Sequence, residues 1–342
     1  MTPAAASLHA LTRALRGAAP RAATNWTAVI ELANRSWLTP ALYCALVRSG
    51  RVGELPTEAR EYLRFIHERT RDRNRRLRSQ VLEAIAALNA AAIVPTVLKG
   101  AVGLLEDQRA TIGGRLMSDI DMAVCQDQLE LARECLSHLG YRKIEGDRGM
   151  ARPRDAAMVE LRALASPPPV DVGLATSLLP RLLERDGVKA WIPSATSQAL
   201  HLIRHDMLKE GDYWRGRIDL RHLHDLVLLT ADGGVDWICL AAAMPGRRGR
   251  NVLETQVLTL RTLFDANVPH DPAGTAIARV QNWRRIAIVE HPTLAAPMRL
   301  VGNLLWGMHR AMHFEGLLAH DARDLLRRTS GILSGTNTGP KI

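Results

Sequence analysis

Residues 117–124 read Met117-Ser118-Asp119-Ile120-Asp121-Met122-Ala123-Val124, and the fold turns on how this stretch is placed. Ile120 to Val124 reads as a buried strand, in which alternate side chains share a face. Asp119 and Asp121 then point one way, while Ile120 and Met122 point the other. Two neighbouring carboxylates at the edge of an apolar strand repel each other, so the placement calls for a cation or a proton between them. A hard divalent ion meets that need, because Mg²⁺ takes one or two protein carboxylates together with phosphate oxygens and water. D-x-D tripeptides also fall at strand ends by chance, so the stretch gains its weight from what surrounds it.

Upstream, Ile93 to Leu98 is a short β-branched run that stops at Lys99-Gly100 and gives way to a helix start at Ala101 to Glu106. A glycine there lets the backbone approach a ligand, the helix start offers N–H donors to a phosphate, and the lysine adds a point charge. Neither G-x-x-x-x-G-K-[ST] nor a strand-linked G-x-G-x-x-G is present. Downstream, Asp127 to Leu139 reads as a helix closing at Gly140, and Tyr141 to Glu145, Ala157 to Leu161 and Val170 to Val172 read as strands. Pro167-Pro168-Pro169 leads into Val170-Asp171-Val172; if that strand neighbours the first, three carboxylates converge. Such a triad can hold two metals, one at an attacking oxygen and one at a leaving phosphate.

The periodicity outside this stretch is helical. Thr27 to Val47, with a break expected at Pro40, and Arg60 to Asn89, with Thr57 as its expected N-cap, precede the centre; helical spacing returns from Ser194. The fold class expected is therefore α+β: a small mixed β-sheet core flanked by helical regions. Its divisions are an N-terminal helical region at 1–90, the α/β core at 91–175, a C-terminal helical domain at 176–330 and a tail at 331–342.

The 342 residues carry 45 Lys+Arg against 35 Asp+Glu, a net charge of +10. Only five of the basic residues are lysines, a bias that reads as genome composition more readily than as selection for phosphate binding. The charge is uneven: residues 1–80 have 14 basic and 6 acidic side chains (+8), residues 81–175 have 10 and 13 (−3), and residues 176–342 have 21 and 16 (+5). An acidic centre between basic flanks fits a carboxylate site that receives anionic partners. The dense run Arg69, Arg71, Arg73, Arg75, Arg76 and Arg78 reads first as a solvated helix face and second as a phosphate-facing one. No apolar run is long enough to span a membrane, and no secretory signal opens the chain. Four widely spaced cysteines with no C-x-x-C pair argue against structural zinc and a disulfide framework, so the expected location is cytoplasmic.

Several of these stretches together resemble one family. They are Val97-Leu98-Lys99-Gly100, Arg115, Met117-Ser118-Asp119-Ile120-Asp121, Leu139-Gly140-Tyr141, Val170-Asp171-Val172, Ala199-Leu200-His201-Leu202, Trp214, Arg217, Asp225-Leu226 and Asp236-Trp237. In order and spacing, over roughly 25–265, they are similar to the bacterial uncharacterised nucleotidyltransferases (the NTP_transf_5 type) of the DNA polymerase β-like superfamily. The resemblance implies Mg²⁺, with Mn²⁺ as its alternative, and an NTP as substrate. It implies Asp119, Asp121 and Asp171 as metal ligands and catalytic carboxylates, with Asp171 assisting deprotonation of the acceptor. Lys99, Gly100 and Ser118 fall at the triphosphate, although the wider superfamily has Gly-Gly/Ser where Lys99-Gly100 stands. Arg115 either neutralises phosphate charge or forms an interior ion pair. The histidine that the family would carry two residues after its third carboxylate is replaced by Gly173.

The activity implied is transfer of NMP to a hydroxyl or phosphate of a small molecule, peptide or glycan precursor. A toxin-like transferase acting on tRNA, motivated by the +8 N-terminus, is a second reading. A silent nucleotide- or partner-binding module, motivated by Gly173, is a third. His201, His205 and His222 read as core or pocket-lining residues, since no H-E-x-x-H carboxylate accompanies them.

Overall fold

The computed structural model describes residues 2–19, 24–106, 108–144, 149–164, 176–231, 233–269 and 274–313. The expectations for Val170-Asp171-Val172, Gly173 and the tail at 331–342 lie outside these residues.

Four helices come first: α1 (Pro3–Leu15), α2 (Trp26–Arg35), α3 (Thr39–Arg48) and α4 (Thr57–Ala90). Pro40 sits in the first turn of α3, where its missing N–H costs nothing, so it opens that helix after the short gap that ends α2. Thr57 is the first residue of α4 and makes no cap bond; Pro56 holds the cap position. Next come β1 (Thr96–Val97), α5 (Gly100–Leu105), α6 (Arg109–Gly114), β2 (Asp119–Cys125), α7 (Leu129–His138), β3 (Arg142–Lys143), β4 (Gly149–Ala151), β5 (Met158–Leu164), β6 (Arg181–Arg185) and β7 (Val188–Ile192). Helices α8 (Ala195–Ile203), α9 (Asp212–Arg215), α10 (Leu220–Thr230), α11 (Trp237–Ala242), α12 (Gly246–Phe264), α13 (Ala276–Glu290) and α14 (Pro292–His313) follow, with a π-helical turn at Arg204–Lys209 between α8 and α9.

The seven strands form one mixed sheet in the order β3-β4-β5-β2-β1-β7-β6, which makes the fold α+β. Strand β2 lies centrally, parallel to β5 and antiparallel to β1. The β6–β7 hairpin corrects the expectation of an all-helical segment from 176 onward. Asp186 and Gly187 both have positive φ, the conformation that a two-residue hairpin turn requires, and the hairpin extends the sheet beyond β1.

Two apolar cores divide the molecule. Leu77, Val81, Ile85 and Leu88 of α4 pack over the sheet with Ile120, Met122, Val159 and Val188. Leu63, earlier on the same helix, belongs to a second core that joins α1–α3 to Ile203, Leu223, Leu260 and Phe264. The 34-residue α4, about 50 Å long at helical rise, thus runs through both cores, and helices from both ends of the chain share one interior. Two members of its arginine run are structural: Arg73 donates to the carbonyls of Met117 and Ala156, and Arg78 to the carbonyl of Leu104. Asn74 donates to the carbonyl of Arg115 at 2.8 Å, and Gln80 to that of Ala157 at 2.6 Å. The bonds to Arg115 and Met117 fix the entry to β2 and those to Ala156 and Ala157 the entry to β5, because a buried carbonyl left unpaired costs more than the bond itself contributes.

Candidate active site

The centre of the sheet opens on a cavity of about 610 Å³. Lys99, Gly100, Arg115, Ser118, Asp119 and Asp121 all line it, so six of the seven residues singled out in the sequence meet there; the seventh, Asp171, lies outside the described residues. Helices complete the wall with Trp37 from the α2–α3 junction, His201 and His205 from α8 and its π-turn, and Arg221, His222 and Asp225 from α10.

Strand parity aims Asp119 and Asp121 to one face, as their spacing demands. Asp121 is only 2 % exposed, and parallel pairing sets Glu160 of β5 directly beside it. Side-chain oxygens of Asp119, Asp121 and Glu160 lie within 4.8 Å of one another. Burial pushes the Asp121 carboxyl above its usual range, and neighbouring Asp119 pushes the same way, against the Lys99 ammonium and the Arg162 guanidinium. The Lys99 Nζ lies 2.6 Å from Asp121 Oδ1, and Arg162 Nη2 donates to the same oxygen at 3.0 Å and to Glu160 Oε2 at 2.9 Å. Ser118 Oγ donates to Asp119 Oδ1 at 2.9 Å.

Lys99 reaches Asp121 because the Leu98 N–H donates to the Asp121 carbonyl, clamping the end of β1 to the start of β2. Its backbone is unusual, with φ 53° and ψ −133°, a region that glycine enters freely and other residues enter at about 1–3 kcal/mol. Lys99 takes a backbone shape that suits glycine and sets an ammonium there as well. Gly100 is fixed by packing: a β-carbon there would meet the Arg115 guanidinium and would approach Met117 Sδ to 2.6 Å. Trp37, also on the cavity wall, is a second strained residue, with φ 58°.

Of the two readings of Arg115, the ion pair is the one formed. Its Nη2 donates to Asp225 Oδ2 at 2.7 Å and its Nε to both carboxylate oxygens at 3.2–3.3 Å. Burial alone would raise the Asp225 carboxyl, but the guanidinium outweighs it and holds the pKa below its ordinary value. This pair ties the loop before β2 to α10 across the cavity wall.

The sequence profile of a family described as uncharacterised nucleotidyltransferase matches residues 22–252. The chain belongs to that family. The match spans every strand of the sheet and all the cavity residues named above, and the chain is a transferase of the nucleotidyl class. No curated protein and no solved structure matches the chain.

Glu160 and Arg162 escaped the sequence reading. The signal was present, because Val159-Glu160-Leu161 sets a carboxylate between apolar strand residues as Val170-Asp171-Val172 does. Glu160 and Arg162, two apart on β5, share the face on which Asp121 lies. Asp206, which the sequence offers with Glu210 and Asp225 as an acceptor-orienting group of the helical region, is buried between His205 and His222, so those histidines line the cavity as expected but with a carboxylate between them.

Proposed function

We propose that the chain transfers a nucleoside monophosphate from an NTP to a hydroxyl or phosphate of an acceptor, releasing pyrophosphate, with a divalent cation held by Asp119 and Asp121. The observation that carries this reading is the convergence of Asp119, Asp121 and Glu160 oxygens on the paired strands β2 and β5, beside the cavity that Asp119 and Asp121 line. The donor set fits the ion: all are carboxylate oxygens, the hard ligands that Mg²⁺ and Mn²⁺ take, and buried Asp121 is stable as an anion only against positive charge. The cation supplies charge neutralisation on the phosphates. Glu160 serves as the third carboxylate within the described residues; Asp171 keeps that role as an expectation from the family pattern.

The chain's own residues do the rest. Lys99, free to turn from Asp121 to a phosphate once a cation shares the carboxylate, neutralises the triphosphate. Gly100, whose open side is filled by Arg115 and Met117, holds the turn from which the first N–H groups of α5 are offered to a phosphate. Arg115, committed to Asp225, positions the loop carrying Ser118 and Asp119. Catalysis then rests on positioning and on fixed charge, with the acceptor oxygen held in line with the leaving pyrophosphate.

The test uses each NTP labelled at the α or the γ phosphate, incubated with Mg²⁺, the full chain and a cell extract. The α label should enter a macromolecular or small-molecule acceptor while the γ label leaves as pyrophosphate. Transfer of the γ label to the acceptor would make the chain a kinase and overturn the reading.

A further inference from the structure

The helical wall of the same cavity holds a second cluster with different chemistry. Asp206, with its side chain 3 % exposed, lies between two imidazoles: His205 Nδ1 is 3.1 Å and His222 Nδ1 2.8 Å from its Oδ1. Donor atoms of all three residues lie within 4.8 Å of one another. We propose that His205, Asp206 and His222 form a transition-metal site, of the zinc type, whose remaining coordination position opens on the cavity.

Three observations carry it. First, the ligand set is two imidazole nitrogens and one carboxylate, which selects Zn²⁺ or Co²⁺ over the Mg²⁺ that suits the all-oxygen set on the strands. Three protein ligands with an open fourth position is the arrangement of catalytic zinc sites. Second, the backbone is specialised to bring the ligands together. Successive residues of an α-helix diverge by about 100°, yet His205 and Asp206 converge on one point. They do so in the π-helical turn Arg204–Lys209, where the Glu210 N–H donates to the His205 carbonyl five residues back at 2.8 Å; such turns recur at functional sites. The third ligand is placed independently, because Asp219 caps α10 by accepting from the His222 N–H at 3.0 Å. Third, both cavity-lining imidazoles present the same nitrogen, Nδ1, to the buried carboxylate.

Metal binding replaces the protons that the two imidazoles share with Asp206, and it asks one neighbour to move. Arg221 Nη2 is 3.1 Å from His222 Nε2, its guanidinium held over the Trp37 ring. With the ion on Nδ1, Nε2 carries the proton and Arg221 turns away. The site stands apart from the nucleotidyl-transfer reading; only its use, to hold an oxygen of the acceptor, rests on that reading.

The chelator-stripped full chain titrated with Co²⁺ tests it through the visible ligand-field spectrum. One equivalent should give the intense band of a four-coordinate ion, displaced by Zn²⁺. The band should persist in an Asp119→Asn/Asp121→Asn double variant and lose about tenfold or more in affinity in His205→Ala and His222→Ala. Arg221→Leu should bind Co²⁺ more tightly than the wild type. Circular dichroism confirms that each variant is folded, and half-buried His205 gives the change that perturbs the interior least. The weak spectrum of a six-coordinate ion, or a band that disappears in the aspartate double variant and survives His205→Ala, would overturn the proposal. A persistent band with no nucleotidyl transfer by the wild type would instead sink only the reading of the strands.

Discussion

One wall of the cavity is made by strands and holds carboxylates neutralised by Lys99 and Arg162; the other is made by helices and holds imidazoles gathered on Asp206. The difference is one of construction. On the strands, convergence is local: side chains two residues apart share a face, and in-register pairing adds Glu160 to Asp121. On the helices, convergence needs a widened π-turn and a crossing between residues 16 apart, 206 and 222. The strand wall offers the hard carboxylate oxygens on which the proposed cation and phosphate site rests. The helical wall offers softer donors and proton-carrying groups.

The largest effect expected falls on the strand wall. Asp119→Asn and Asp121→Asn should each lower transfer of the α label by about 10³-fold or more, with circular dichroism unchanged, since electrostatic stabilisation is usually the largest catalytic contribution. An equal rate in either variant would erase the distinction between the walls.

The joint between them comes next. Asp225→Ala leaves the Arg115 guanidinium without its buried partner, and the cost should be about 3–5 kcal/mol in urea unfolding. A loss below about 1 kcal/mol would show that the walls are not tied through this pair.

The helical wall should be the acid-sensitive one. His224, buried against Phe264, has its pKa pushed down to about 4 by burial, from an ordinary value of 6.5. The unfolded chain therefore takes up a proton on this residue as the pH falls through 6.5, and the folded chain does so only near pH 4. Stability should be intact above pH 6.5 and fall by about 3 kcal/mol between pH 6.5 and 4 on account of this group. His224→Phe should flatten that slope in urea titrations run across the same window; an unchanged slope would assign the acid response elsewhere.

The smallest effect concerns Lys99. Both Lys99→Ala and Lys99→Gly remove the ammonium from Asp121, but only glycine accepts φ 53° and ψ −133° without strain. Lys99→Gly should therefore be the more stable of the two by about 1 kcal/mol, the reverse of the usual order, as measured by thermal melting. The usual order would mean that the backbone at this position is not strained.

Much of the strand wall was legible because period-2 alternation fixes the face of a side chain from sequence alone. Asp119 and Asp121 were named on that basis, Lys99 and Gly100 from the junction where a β-branched run gives way to a helix, and all four line the cavity. Glu160 was legible by the same rule and was passed over for Asp171, whose run of prolines and β-branched neighbours gave a louder signal. The β6–β7 hairpin carried its own mark in Asp186-Gly187, hidden between two helical regions. The helical wall was less legible: nothing in Arg204–Lys209 announces a π-turn, and an i, i+4 reading of His201 and His205 does not set Asp206 beside His205, because adjacent residues on an ordinary helix diverge. The fate of Arg115 was equally closed to the sequence, since its partner lies 110 residues away.

The central claim is that the strand carboxylates bind nucleotide through a divalent cation. Isothermal titration of the full chain with an NTP analogue that resists α–β cleavage, with and without Mg²⁺, tests it most directly. Binding should require Mg²⁺ and should be lost in Asp121→Asn; binding of equal strength without Mg²⁺, or unchanged in that variant, would contradict the claim.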